Sequence, residues 1–400
     1  MGPGSHAGAR RRGMSTAEPL LTLMLIPTGI GCQVGGYAGD ALPAARLLAA
    51  ASGCLVTHPN VMNGASLYWR DSRIHYVEGA ALDRFAAGEL ALRPVRSQRV
   101  GVVLDAGIEA DLRLRHLQLI EACRATLGLD LGPVLLTDAP LEVTLEQGPS
   151  GSSWGRLQRP DALLRAGERL RDAGATAIAV VARFPEDPAS EALAAYRSGC
   201  GVDALAGAEA VISHLLTDAL QLPCAHAPAL RALPLDPRLD PRAAAEEIGH
   251  TFLPCVLVGL SQAPDLVPID AGARASSTAH ALASGWLHPS RIGAVVAPHT
   301  ALGGSAVLAT AERGIPLIAV HNPGVLEVDA AALGLTALSA ASYSEAAGLL
   351  LALREGIHPG ALSRPLLPLP PLQAWDGGER AGDPRAGAGH PDGETAAQLR

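Results

Sequence analysis

Leu20-Leu21-Thr22-Leu23-Met24-Leu25-Ile26 runs directly into Pro27-Thr28-Gly29-Ile30-Gly31-Cys32-Gln33-Val34-Gly35-Gly36-Tyr37-Ala38-Gly39-Asp40. The first seven residues carry no charge and are far too few to span a bilayer, so they read as a buried strand. Glycines 29, 31, 35, 36 and 39 let the following loop turn tightly and expose its amide N–H groups. An Ala/Leu helix is expected over 41–51, and such a loop at a helix N-terminus suits an anionic group. The unit is β-loop-α, the element from which parallel α/β sheets are built.

The same order recurs downstream. Strands are expected over 54–57, 99–104, 134–137, 176–182, 252–259, 292–297 and 316–320. Helices are expected over 109–127, 161–173, 206–220, 271–284, 304–313 and 344–355. Alternation on this scale predicts an α/β fold of mostly parallel sheets with Rossmann-like β-loop-α units. A chain of 400 residues exceeds one hydrophobic core, which predicts two lobes, 18–146 and 156–360. Between them 147–155, Gln-Gly-Pro-Ser-Gly-Ser-Ser-Trp-Gly, reads as a Gly/Ser-rich flap or hinge, and the Pro-rich stretch 233–242 as an extended excursion. Residues 1–17 and 361–400 lack periodicity and read as disordered tails, with Met14 competing with Met1 as the native start.

Composition narrows the chemistry. Apolar residues make up 48% of the chain and aromatic ones only 3%, so the core is built from Ala, Leu, Val and Ile, as where helices cover parallel strands. A net charge of −8 argues against nucleic-acid partners and anionic membranes, both of which need a basic surface. The chain contains no lysine. That excludes pyridoxal phosphate held as a Schiff base, a Walker-type phosphate lysine and a Ser-Lys hydrolase. Six scattered cysteines without a C-x-x-C pair point to reduced thiols and a cytoplasmic setting.

The expected strands end repeatedly in polar side chains: Thr28, His58, Asp105, Asp138, Arg183, Ser261, His299 and His321. In doubly wound sheets ligands bind at the carboxyl ends of strands, so this row is the candidate site. His58 and His299 are candidates for proton transfer, and Asp105 and Asp138 for a general base, a substrate contact or a ligand to a divalent metal. Thr28, Gly29, Gly31, Gly35 and Gly36 of the first loop, Gly303, Gly304 and Ser305 of a second, and Arg183 are candidates for holding an anion. The first loop fits G-x-G-x-x-x-G, and the next strand ends in Thr57-His58-Pro59-Asn60 where a ribose-binding acid is expected, which argues against NAD or FAD. Cys224-Ala225-His226 places a thiol near an imidazole in a proline-flanked loop without a third metal ligand in sequence, so no metal site is assigned.

The second loop is similar, over some twenty residues, to the donor-binding half of two-lobed glycosyltransferases, although Ala309 stands where those enzymes place a ribose-binding Glu. A longer resemblance covers about residues 20–355. Ile26-Pro27-Thr28-Gly29-Ile30-Gly31, Gly35 to Ala41, Thr57 to Asn60, Val103 to Glu109 and Gly207 to His214 resemble an uncharacterised family of cyanobacteria and plant plastids catalogued as a domain of unknown function (family 3326). The resemblance implies a cytoplasmic or stromal setting and supplies no activity, cofactor or catalytic residue.

Together these readings predict an enzyme acting on a small anionic metabolite, phosphorylated or carboxylated, bound at strand carboxyl ends. The alternatives are a non-catalytic metabolite sensor or assembly protein, which homo-oligomerisation would suit, and a nucleotide-sugar-dependent transferase.

Overall fold

The computed structural model of the protein describes residues 18–63, 70–247, 252–269, 284–366 and 368. Residues 1–359 form one compact unit and 360–400 a second, and every element below lies in the first. The chain begins with β1 (Leu20–Met24), α1 (Leu42–Ser52), β2 (Gly53–Thr57), the short α2 (Pro59–Met62), β3 (Ile74–Tyr76) and α3 (Gly79–Ala87). It continues through β4 (Leu90–Arg93), β5 (Val100–Leu104), α4 (Ala110–Leu127), β6 (Leu131–Leu136), β7 (Val143–Gln147), β8 (Ser153–Leu157), α5 (Pro160–Asp172) and β9 (Ala177–Arg183). Next come α6 (Glu191–Arg197), α7 (Ala206–Leu220), β10 (Cys224–Ala229), α8 (Pro241–Glu247), α9 (Phe252–Leu260) and β11 (Asp265–Pro268). The unit closes with β12 (Ile292–Pro298), α10 (Ser305–Glu312), β13 (Leu317–Val320), β14 (Leu338–Ala340) and α11 (Tyr343–Arg354).

Two sheets carry the fold, both parallel throughout. One has the order β14-β13-β12-β1-β2-β3, the other β10-β9-β5-β6. Central strands of parallel sheets are covered on both faces, which is why β5 (Val-Gly-Val-Val-Leu) is apolar and buried at all five positions. The same holds for the first six residues of β9. The six-stranded sheet draws strands from both ends of the unit and the four-stranded sheet from its middle, so the sheets do not divide at 147–155. That Gly/Ser-rich stretch is instead the tip and second strand of the antiparallel β7-β8 hairpin, which packs on α7.

Two local expectations are corrected. Residues 252–259 form helix α9 rather than a strand, because an unbroken apolar run of this length satisfies either period. Seven of its nine residues are buried. One apolar cluster runs from Met24, Leu55 and Val296 of the six-stranded sheet through Val256 and Leu257 of α9 to Val102, Ala179 and Ala227 of the other sheet, so α9 has no face to expose. Residues 224–226, expected in a loop, begin edge strand β10, which pairs with β9. The helix expected over 271–284 and the tails expected at 1–17 and beyond 361 fall largely outside the described residues. Among the described residues no single helix is long and apolar enough to cross a membrane.

Candidate functional site

The ends of β1, β2 and β12, adjacent strands, bring Thr28, His58 and His299 to one edge of the six-stranded sheet. There the polar groups hold the glycine loop. His58 Nε2 accepts from the Ile26 N–H at 3.0 Å, and burial, helped by the neighbouring His214, pushes its pKa down to about 4, so the imidazole is neutral. His299 stacks on His321 with ring centroids 4.9 Å apart, and its Nδ1 lies 3.2 Å from the Val320 carbonyl oxygen. Buried Asn322, one residue beyond His321, accepts from the Val34 N–H and donates to the Val34 carbonyl, both at 2.8 Å.

Six amides of the loop, those of Gln33, Val34, Gly35, Ala38, Gly39 and Asp40, donate inside the protein. Gly35 N–H donates to Asp40 and Ala38 N–H to Glu246, each at 2.5 Å, while Gln33 N–H goes to the Pro323 carbonyl and Gly39 N–H to that of Asn60. Gly29 and Gly31 serve close backbone approach: a Cβ at Gly29 would stand 2.6 Å from Ser153 Oγ, and one at Gly31 2.9 Å from the Gly201 carbonyl oxygen. At Gly303, Gly304 and Ser305 the opening of α10 is met by Asp83, which accepts from the Ala306 N–H at 3.0 Å. A carboxylate of the protein itself thus occupies the place where an anion was expected.

Three further candidates lie around the four-stranded sheet. Asp105, 1% exposed, accepts from the backbone N–H groups of Gly107, Leu141 and Arg183 at 2.9, 3.0 and 3.0 Å. Arg183 is spent on both oxygens of Glu109, on Glu186 and on the Phe184 carbonyl. Asp138 makes an exposed two-pronged pair with Arg165. Asp105 and Arg183 are therefore fasteners for the loops that follow β5 and β9.

A cavity lies where those loops end. About 460 Å³ in volume, it opens between the segment after β9, helix α6, the start of α7, strand β10 and helix α8, with Ala38 of the glycine loop in its wall. Leu145, Leu193, Val202, Leu205, Phe252 and Val256 make most of its surface apolar. Into it project Asp203, Glu209, His226 and Glu246. Asp203 precedes α7 and accepts from the Leu205 N–H at 2.9 Å. Burial, reinforced by the charge of Glu209, raises its pKa to about 7. Glu246 is 9% exposed, and its Oε1 accepts from Tyr196 Oη at 2.7 Å as well as from Ala38. Burial and the charge of Asp203 raise its pKa well above the usual carboxylate value. Glu209 and Ser213, one turn apart on α7, flank His226 of β10: Nε2 lies 3.4 Å from Glu209 and Nδ1 3.0 Å from Ser213 Oγ. Ser213 is 1% exposed and so fixes the ring rather than attacking a substrate.

A latch joins cavity and glycine loop. Tyr37 stacks on Tyr196 at 4.2 Å and donates to its carbonyl at 2.7 Å, while Arg242 lies over the Tyr37 ring, 4.1 Å from its centroid, and pairs with Asp40 at 2.9 Å. Sequence reading singled out Cys224-Ala225-His226 without joining it to Glu209. Asp203, Tyr196 and Glu246 gave no signal in sequence, because neither pattern nor motif marks an acid that tertiary packing will bury. Among the described residues no three His, Cys, Asp or Glu side chains converge as a metal-ligand set.

The geometry defines a parallel α/β protein with a carboxylate-lined cavity at strand ends. The profile of the family described as "Protein of unknown function (DUF3326)" matches residues 21–363, and the chain belongs to that family. It is 54% identical over 345 residues to a Synechococcus sp. protein named an uncharacterized lipoprotein, an alignment covering 86% of this chain and 93% of that one. The family resemblance carried by the motifs between Ile26 and His214 is thereby shown.

Proposed function

We propose that this chain is a small-molecule enzyme whose substrate occupies the cavity beyond β9 and β10 and exchanges a proton with its carboxyl and imidazole groups. The observation that carries this reading is that Asp203, Glu209, Glu246 and His226 line one cavity whose surface is mostly apolar. A carboxyl group that keeps its proton to about pH 7 suits general acid–base work near neutrality. Glu209 and Ser213 orient the His226 ring from either side. The acid–base chemistry expected from the sequence is kept, but its agents move away from His58, His299, Asp105 and Asp138.

The test is a thermal-shift screen of a metabolite panel, followed by proton NMR of each hit in deuterated buffer, which reads both conversion and exchange. A ligand at 100 times its Kd stabilises by about 2.7 kcal/mol. Asp203→Asn is expected to keep the shift and to slow exchange or conversion about 100-fold or more, whereas Ala192→Trp, from the exposed side of α6 in the cavity wall, removes the shift. Binding without exchange in the native chain would favour the sensing alternative. Hits indifferent to Ala192→Trp would place the ligand elsewhere.

The relative's name raises the question of a lipid anchor. A bacterial lipoprotein carries its lipid on a cysteine that becomes the N-terminus once an apolar leader is cleaved, and here Cys32 follows the apolar run from Leu20. Yet that run is β1, paired on one side with β12 and on the other with β2, and Cys32 is 1% exposed. Cleavage before Cys32 would remove a central strand, so we propose that Cys32 carries no lipid. Intact mass spectrometry of the protein from a native host is expected to retain β1 with an unacylated Cys32; a chain starting at acylated Cys32 would overturn this.

A further inference from the structure

We infer that the ligand of the cavity carries a protonated amine on an apolar body, with the ammonium seated among Asp203, Glu209 and Glu246. The inference rests on the cavity being the functional site, as proposed above, and adds the class of ligand. Six acids line the cavity: Glu186, Asp187, Asp203, Glu209, Glu246 and Glu247. Two have their own cations, Glu186 with Arg183 at 2.5 Å and Glu247 with Arg197 at 2.8 Å. Arg231, a basic residue of the wall, is drawn away to Asp111 at 3.1 Å and Glu109 at 3.6 Å. Among the described residues no Arg is paired with Asp187, Asp203, Glu209 or Glu246, and His226 reaches Glu209 alone.

Glu246 supplies the sharper sign of a missing partner. Nine-tenths buried in the lining of the cavity, it accepts from Ala38 and Tyr196 on the same oxygen, Oε1, which leaves Oε2 outside both bonds. An anion would add to the negative charge that the acids bring in surroundings of low dielectric, and a neutral ligand would compensate none of it. A cation lets the buried acids ionise and neutralises them. The described residues hold no three-ligand metal set, and most of the wall's surface is apolar, so the cation that fits is organic. A cavity of about 460 Å³ lies in the range of sites that enclose a compact metabolite.

The pairing makes binding pH-dependent. Asp203 is faced by Glu209 from α7, by Glu246 from α8 and by Tyr196 from α6, with His226 of β10 beyond Glu209. None of these brings a permanent positive charge, so its carboxyl is protonated below about pH 7. An ammonium pairs with the ionised form only, and seating it expels one proton. Affinity then rises with pH until Asp203 is ionised and levels off above that.

The experiment is titration calorimetry of the full chain with three matched probes: 4-phenylbutylamine, 4-phenylbutan-1-ol and 4-phenylbutyrate. The amine is expected to bind at least about tenfold more tightly than the alcohol, with the carboxylate weakest, the gap expected of one compensated charge. Amine affinity should climb by about tenfold per pH unit below pH 6 and flatten above pH 7. Asp203→Asn should remove that slope, and Glu246→Gln should narrow the gap between amine and alcohol. Equal binding of amine and alcohol, abolished by Ala192→Trp, would overturn the amine while leaving the cavity as the site. Preference for the carboxylate would overturn it as well. Failure of all three probes to bind the native chain would overturn the inference outright, and a metabolite hit sensitive to Ala192→Trp would then still support the cavity.

Discussion

Asp105→Ala is expected to lower the stability of the folded chain by about 3–5 kcal/mol, because each buried donor left without an acceptor costs about 1–3 kcal/mol. Three backbone donors are at stake, those of Gly107, Leu141 and Arg183, and all three bonds have ordinary hydrogen-bond lengths. Asp105→Asn is the gentler variant. Its remaining oxygen can keep Gly107 and Leu141, which share Oδ1, while its amide confronts the Arg183 N–H, so one bond is lost rather than three. Urea denaturation of both variants reads the order directly, with the midpoint of the alanine variant the lower. An alanine variant of native stability with its turnover abolished would instead restore Asp105 to the chemical role expected from the sequence. The effect also bears on the cavity, since Arg183 fixes Glu186 in its wall.

Gly207→Val is expected to cost a further class of energy, steric rather than polar, of about 3–5 kcal/mol. A Cβ at Gly207 would stand 2.2 Å from the Ser153 carbonyl oxygen and 2.4 Å from Trp154 Cα. The obstacle is the backbone of β8, which has no rotamer to change. Gly155 meets α7 from the other side, its Cβ position 2.5 Å from that of Ala208, so the hairpin and the helix touch through paired glycines. The variant should undock the β7-β8 hairpin, seen as rapid proteolysis near Gly151, and displace the start of α7 that sets Asp203 and Glu209 in the cavity. Gly348→Ala is the contrast. That helical glycine of α11 has no atom within 4 Å of its Cβ position, and the change should stabilise by up to about 1 kcal/mol. Equal melting temperatures for Gly207→Val and the native chain would mean that the hairpin does not seat on α7 as described.

Much of this architecture was legible because it is written in local periodicity. Strands β1, β5, β9, β12 and β13 are short runs of buried apolar residues, and α4, α5 and α7 carry enough continuous helical pattern to be placed within a few residues. What failed locally did so for a stated reason. Strand β10, Cys-Ala-His-Ala-Pro-Ala, lacks the β-branched residues that mark strands and is held by pairing with β9. Helix α9 has no polar face because it is wedged between both sheets.

The site was less legible than the fold. Polar residues at strand ends were visible, but His58, Asp105 and Arg183 turn inward and satisfy backbone or carboxylate partners, which sequence position alone does not distinguish from facing a ligand. The residues that do face the cavity come largely from helices and connecting segments beyond the strands. By itself the sequence determined the α/β class, the glycine loop after β1, the exclusion of lysine chemistry and membership of the family, because these depend on residue type and short-range spacing. Only the tertiary structure decided that β1 pairs with β12 from the far end of the unit, that the amides of Val34, Gly35 and Ala38 are spent on Asn322, Asp40 and Glu246, and that Asp203 and Glu246 share a cavity. Strand partners and the protonation of a buried acid are set by groups remote in sequence, whose packing fixes both geometry and dielectric.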